Sequence, residues 1–200
     1  MANIITLSRI FLAFIAMGLL FIGPKDVPNY AHISFIITIF VMWFDGLDGY
    51  IARKFNESSK LGAVLDIMGD RIVENIYWVV FSSMGWISVI VPLIVLTRGI
   101  ITDSLRSLAL EKGFTPFGEK TMMQGKIAKF IVASNFSRFT YAVCKAIAFL
   151  FMLIGHAPFS YPYKEIVLQT GVICTIIAVI FCVLRGLPVI FESKRFLNNE

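Results

Sequence analysis

The sequence predicts an all-α integral membrane protein, with six transmembrane helices around a polar cavity open to the cytoplasmic side. Three observations carry that expectation. Apolar residues make up 58% of the 200-residue chain and charged residues only 16%, against about 45–50% and about 25% in soluble domains. Apolar stretches long enough to cross a bilayer as helix, about 20 residues each, recur from one end to the other. Within them, from Asp45 to Arg71, the chain nevertheless places four aspartates and two arginines. Mean hydropathy is +0.80 and no large polar block interrupts the chain, so one membrane domain is expected over residues 1–200.

The spans are expected at Ile4–Ile22, His32–Tyr50, Leu61–Phe81, Trp86–Asp103, Ile127–Gly155 and Val167–Leu187. The first has the apolar length of a secretory leader. Arg9 sits inside it, however, and no convincing small-residue cleavage site follows, so it reads as a permanent helix. Gly23–His32 and Gly155–Lys164, rich in Pro and Gly, read as short exposed turns where helices stop. Basic residues set the orientation. Arg53, Lys54 and Lys60 follow the second span, Arg106, Lys112, Lys120 and Lys126 the fourth, and Lys194 and Arg195 the last, whereas the opposite loops hold Lys25 and Lys164. The positive-inside rule therefore puts both termini and the aspartates on the cytoplasmic side. A net charge of +5 suits anionic headgroups better than nucleic acid, because the cations follow topology and form no continuous stripe.

Cys144, Cys174 and Cys182 fall in apolar spans with neither zinc nor disulfide spacing and read as small buried hydrophobes. His32 and His156 sit beside outward turns, away from the carboxylates, and read as interfacial residues. Arg138 and Lys145, seven apart in the fifth span, must face protein, water or a headgroup.

The aspartates carry the chemistry. A charge at the bilayer centre costs about 2.5–3.5 kcal/mol on insertion scales, so repeated intramembrane acids mark a site. Asp45 and Asp48 are i,i+3 near the end of the second span, and Gly62, Asp66 and Asp70 are i,i+4,i+8 at the start of the third. Each set shares one helical face. A tight turn around Asn56–Ser59 would set the two helices antiparallel and let four carboxylates converge. Such a cluster needs cations, and all-oxygen ligation suits Mg²⁺ or Mn²⁺, with two ions shared. Gly49 and Gly62 leave room for a ligand to approach backbone, Arg53 offers a fork for phosphate oxygens, and Ser59 a hydroxyl. Structural salt bridges to Arg53, Arg71 and Lys60 are the bland alternative, but they do not explain four acids at these intervals.

The pattern D-x2-D-G-x2-A-R-x8-G-x3-D-x3-D, from Asp45 to Asp70, resembles the signature of the CDP-alcohol phosphatidyltransferases at all its fixed positions. The resemblance implies six transmembrane helices in a homodimer. It also implies attack of an alcohol on the β-phosphate of a CDP-linked lipid such as CDP-diacylglycerol, with release of CMP. It makes Asp45, Asp48 and Asp66 metal ligands, Asp70 both ligand and general base, and Gly49, Arg53 and Ser59 contacts to the CDP moiety. The expected location is the cytoplasmic (inner) membrane, with the site facing the cytoplasm.

For the acceptor, two segments are similar to phosphatidylglycerophosphate synthases of that family: Asn3-Ile-Ile-Thr6-Leu-Ser-Arg9, and Arg98 to Gly113 followed by Gly125-Lys126. Arg9 reads either as a topology anchor or as a snorkelling contact to lipid phosphate. Arg98 and Arg106, eight apart on one face, and Lys126 are the candidate partners of a phosphorylated acceptor such as glycerol 3-phosphate. Gly99 stands where those synthases usually carry an acid. Gly62-Ala-Val-Leu-Asp66 and Asp70-Arg71 lean towards the inositol-type transferases, so inositol or inositol phosphate is the alternative acceptor. An ion-coupled transporter is the alternative of another class. The absence of repeats and the position of the acids near helix ends weigh against it.

Overall fold

The computed structural model describes residues 2–22, 28–54, 60–111, 113, 125, 130–132, 134–157 and 162–197; of these, 2, 28, 29, 46–54, 60, 61, 63, 135 and 195–197 are described by backbone alone. The described chain is built from α-helix, as expected: α1 (Ala2–Ile22), α2 (Pro28–Lys54), α3 (Lys60–Ser83), α4 (Ile90–Glu111), α5 (Asn135–Gly155) and α6 (Lys164–Leu197). Among the described residues, three segments are long and apolar enough to cross a membrane, Asn3–Ile22, Phe130–Gly155 and Lys164–Lys194, and Tyr30–Asp45 is a shorter apolar helix. The chain is thus a multi-pass integral membrane protein. Helices α3 and α4 carry charges inside their expected spans, among them Asp66, Asp70, Glu74, Arg98 and Asp103.

Element boundaries depart from the expected spans at several places, α2 among them, which runs four residues further at each end. The fourth span was expected to open at Trp86, but α4 begins at Ile90. Gly85, with φ of 74°, ends α3 in a left-handed cap, and the Trp86 N–H donates back to the Phe81 carbonyl. Helix α4 then runs to Glu111, eight residues beyond Asp103. Helix α5 starts at Asn135 because Ser134 caps it: the Ser137 N–H donates to Ser134 Oγ at 3.1 Å. Helix α6 continues through Pro188 to Leu197, ten residues past the expected end. The expected turn at Asn56–Ser59 lies outside the described residues.

The chain divides into two compact units, residues 1–89 with 146–173, and residues 90–145 with 174–200. In the first, α1 packs on both α2 and α3. Thr6, Arg9, Ala13, Ala16 and Met17 are buried, while Ile4, Leu7, Phe11 and Phe14 on the other face are exposed, as a helix between protein and lipid requires. On α2 the buried residues include Ser34, Thr38 and Val41, and on α3 Val73, Glu74, Tyr77, Trp78 and Phe81. A hydrogen bond of 2.8 Å between Thr38 Oγ1 and Tyr77 Oη ties these faces together.

Phe149 of α5 anchors an aromatic cluster in the same unit. Its ring stacks on Tyr77 at 4.6 Å and meets Trp78 edge-on at 4.6 Å. Phe81 links the cluster to Trp86, whose indole stacks on His156 at 4.3 Å. Glycines let α6 close on α5, since a Cβ at Gly171 would sit 3.3 Å from the Met152 backbone. In the second unit Ala109, Val132 and Val189 form a small buried cluster with Leu105 and Leu108 against it.

Two predictions follow from this packing. Phe149→Ala leaves a ring-sized void and should cost about 3 kcal/mol or more, whereas Tyr77→Phe should cost about 0.6 kcal/mol, the usual worth of a membrane hydrogen bond. Denaturant titration in detergent reads the difference, and equal losses would contradict the aromatic anchor. His156 lies just beyond α5 and its pKa is lowered by burial, which outweighs the raising effect of its backbone contact to Met152, with a smaller lowering from the Lys164 charge. Its neutral form therefore stabilises the fold above the ordinary histidine pKa of about 6.5, and that contribution is lost as pH falls through the lowered folded value. Thermal unfolding midpoints should drop as pH falls from about 6.5 through that lowered value, and less so in His156→Phe.

Candidate active site

The buried cation of α1 organises the site in the first unit. The Arg9 side chain is 2% exposed, and its two terminal nitrogens reach two different helices. Nη1 pairs with Asp45 of α2, and Nη2 donates to Asp70 Oδ1 of α3 at 2.8 Å. The Asp45 and Asp70 side chains remain 46% and 50% exposed, so each keeps oxygen surface open to a ligand. Arg9 Nε is buried without a partner among the described residues. The guanidinium is thus enclosed, and the carboxylates it holds face outwards.

Sequence dictates this approach. Thr6, Arg9, Ala13 and Ala16 fall on one face of α1, so burying the apolar stripe also turns Arg9 inwards. Gly69 on α3 provides the space. A Cβ there would lie 2.7 Å from Thr6 Cγ2 and 3.1 Å from Arg9 Nη2. Between Asp66 and Asp70, then, the chain needs a residue with no side chain. Of the two expected readings of Arg9, topology anchor or snorkelling contact, the second is not what the structure shows: the side chain runs inwards, where two carboxylates compensate its charge.

The other expected site residues are placed as follows. Asp66 lies on α3, exposed and engaged with neighbours. Asp48, Gly49 and Arg53 lie within α2 and are described by backbone alone. Ser59 and Lys126 lie outside the described residues. In the second unit, Arg98 Nε donates to the Cys182 carbonyl at 2.8 Å, and Arg106 sits 3.6 Å from Asp103 one turn earlier on α4. Arg71 stands 3.6 Å from Glu74, a buried acid that periodicity alone marks as a core-facing position. Sequence reasoning passed over Glu74 and Gly69, although the apolar period of α3 passes through both.

The donors suit a hard divalent cation, since Asp45, Asp66 and Asp70 are all-oxygen ligands with exposed surface. Among the described residues, no three acidic, histidine or cysteine side chains already stand as a metal cage. Asp45 and Asp70 are instead drawn together by the positive charge of Arg9. Gly69→Ala should force Thr6 or Arg9 to move and cost about 1–3 kcal/mol, and adding Thr6→Ser, which deletes Cγ2, should recover part of it. An unchanged unfolding midpoint for Gly69→Ala in detergent would rule out the close approach.

A family model described as CDP-alcohol phosphatidyltransferase matches residues 1–184. Similar proteins include the CDP-diacylglycerol--glycerol-3-phosphate 3-phosphatidyltransferase of Wigglesworthia glossinidia brevipalpis, 33% identical over 54% of this chain and 59% of its own length. The protein of the same name from Pseudomonas fluorescens is 31% identical over 76% of this chain and 82% of its own. That from Escherichia coli (strain K12) is 27% identical over 56% and 60%. The match thus spans about three fifths of the Wigglesworthia relative. The aspartate pattern, its placement on α2 and α3, and a match over nearly the whole sequence agree: the chain belongs to the CDP-alcohol phosphatidyltransferase family.

Proposed function

We propose that the protein transfers a phosphatidyl group from CDP-diacylglycerol to glycerol 3-phosphate, forming phosphatidylglycerophosphate and releasing CMP. The observation that carries this reading is the joining of Asp45 and Asp70, from two helices, by one buried arginine. The names borne by the relatives support glycerol 3-phosphate as acceptor.

Asp45, Asp48, Asp66 and Asp70 are the residues that would hold Mg²⁺ or Mn²⁺, two ions in this reading. When bound, such ions neutralise the diphosphate and stabilise the departing CMP. Asp70 takes the proton of the acceptor hydroxyl. The hydroxyl oxygen then bonds to the β-phosphorus of the CDP-lipid as the bond from that phosphorus to CMP breaks. Arg9 is a positioning residue: it orients Asp70 and Asp45 without touching the reacting atoms. Gly49, Arg53 and Ser59 bind the CDP moiety, and Arg98, Arg106 and Lys126 bind the acceptor. The reading includes six spans enclosing a cavity open to the cytoplasm, residence in the cytoplasmic membrane, and a homodimer.

Purified protein in mixed micelles should release CMP from CDP-diacylglycerol when given glycerol 3-phosphate, and chelation of divalent ions should abolish release. Inositol, inositol 1-phosphate and serine should be poor acceptors; a preference for any of them would overturn the acceptor assignment. Asp70→Asn should lower turnover by about a hundredfold or more, the range of a lost general base, with CDP-lipid binding retained. Wild-type turnover in that variant would remove Asp70 from its role.

A further inference from the structure

Arg9 brings a positive charge to the carboxylates that a divalent metal would also need. Its side chain is 2% exposed, and both terminal nitrogens are engaged, Nη1 on Asp45 and Nη2 on Asp70 Oδ1 at 2.8 Å. The guanidinium is also held in place sterically. Thr6 and Gly69 close on it so tightly that a Cβ at Gly69 would lie 3.1 Å from Nη2. Nε is buried without a hydrogen-bond partner among the described residues, so the clamp there rests on the two acids. The neighbouring cation has its own counterpart: Arg71 stands 3.6 Å from Glu74, a buried acid.

A guanidinium and a metal ion compete for the same oxygens. A carboxylate has lone pairs enough for both, accepting from arginine on one oxygen and offering the other to a metal. The half-exposed Asp45 and Asp70 keep such surface open. Sharing is therefore possible in geometry and unfavourable in charge, because cations a few ångströms apart repel even at the effective dielectric of a protein. Arg9 thus has two opposed effects. It gathers ligands from two helices, and it resists the ion they would bind. Charge balance says what relieves the resistance. The four aspartates of the motif match two divalent ions, and Arg9 leaves such a loaded site one positive charge in excess. A diphosphate removes that excess and supplies ligand oxygens of its own.

We infer that Arg9 is a fixed counter-cation that keeps the affinity of the aspartates for divalent metal low until a diphosphate is present, so that metal and CDP-lipid load together. The inference rests on the proposed transferase reading for the identity of the diphosphate, though not for the opposition between Arg9 and metal. Coupling of this kind is reciprocal: the donor tightens the metal by the same factor as the metal tightens the donor. Arg9 remains a positioning residue, with no contact to the reacting atoms. Its further role is to make metal occupancy conditional on the substrate that the metal serves.

The test is Mn²⁺ binding to full-length protein in mixed micelles, read from the electron paramagnetic resonance signal of the free ion against protein-free micelles. Wild type should bind Mn²⁺ about tenfold or more tightly once CDP-diacylglycerol is added without an acceptor. Arg9→Gln without the donor should bind Mn²⁺ about tenfold or more tightly than wild type does. Arg9→Lys keeps the charge and should stay close to the wild-type affinity. Unchanged or weaker Mn²⁺ binding in Arg9→Gln would overturn the counter-cation and leave Arg9 as a residue that only gathers the acids. A rise of about tenfold in Arg9→Lys would show that charge is not the cause, and it overturns the inference even if Arg9→Gln does not fold. Equal wild-type affinity with and without a donor that yields CMP would overturn joint loading. If no acceptor yields CMP yet Arg9→Gln tightens Mn²⁺ binding, the transferase reading fails and the counter-cation stands.

Discussion

Everything in the first unit turns on a cation held between two acids. Arg9 sits inside an apolar helix, where a lone guanidinium is costly, and it remains there because Asp45 and Asp70 meet its two terminal nitrogens. The dependence is mutual. Two carboxylates near each other in low dielectric would otherwise raise each other's cost, and the guanidinium between them relieves it. Gly69 is the steric condition for both, since no other residue leaves room for Thr6 and Arg9 against α3. Packing and candidate chemistry therefore share the same atoms.

The two ends of that unit differ in character. Around Phe149 the rings of Tyr77, Trp78 and Phe81 interlock and are fully buried. At the aspartates, by contrast, side chains are half exposed and held through charge. Dense apolar contact resists local opening, and exposed polar contact permits it. A site that must admit a lipid headgroup and release a nucleotide is placed where adjustment is least costly, on helices whose far ends are fixed.

Much of this was legible in the chain. The helices follow from long apolar runs, and the aspartate face from i,i+3 and i,i+4 spacing. What escaped depends on partners far along the sequence. Arg9 reads as a topology anchor until α2 and α3 supply its acids. Boundaries failed where local chemistry outweighed hydropathy. Gly85 stops α3 and Ser134 caps α5 inside apolar sequence, and Pro188 does not stop a helix whose neighbouring turns stay intact.

The Arg9 clamp also bears on how the chain enters a bilayer. Helix α1 emerges from the ribosome before α2 and α3, carrying an arginine whose partners lie 36 and 61 residues further on. Until α2 and α3 are made, that helix is a poor passenger in lipid, penalised by about 2.5–3.5 kcal/mol if the charge sits at mid-depth. Stable insertion of α1 thus waits on α2 and α3, and the three behave as one cooperative unit of membrane assembly. A chain truncated before Asp70 would carry the charge without its counterweight, which gives cellular quality control a physical mark of an unfinished protein.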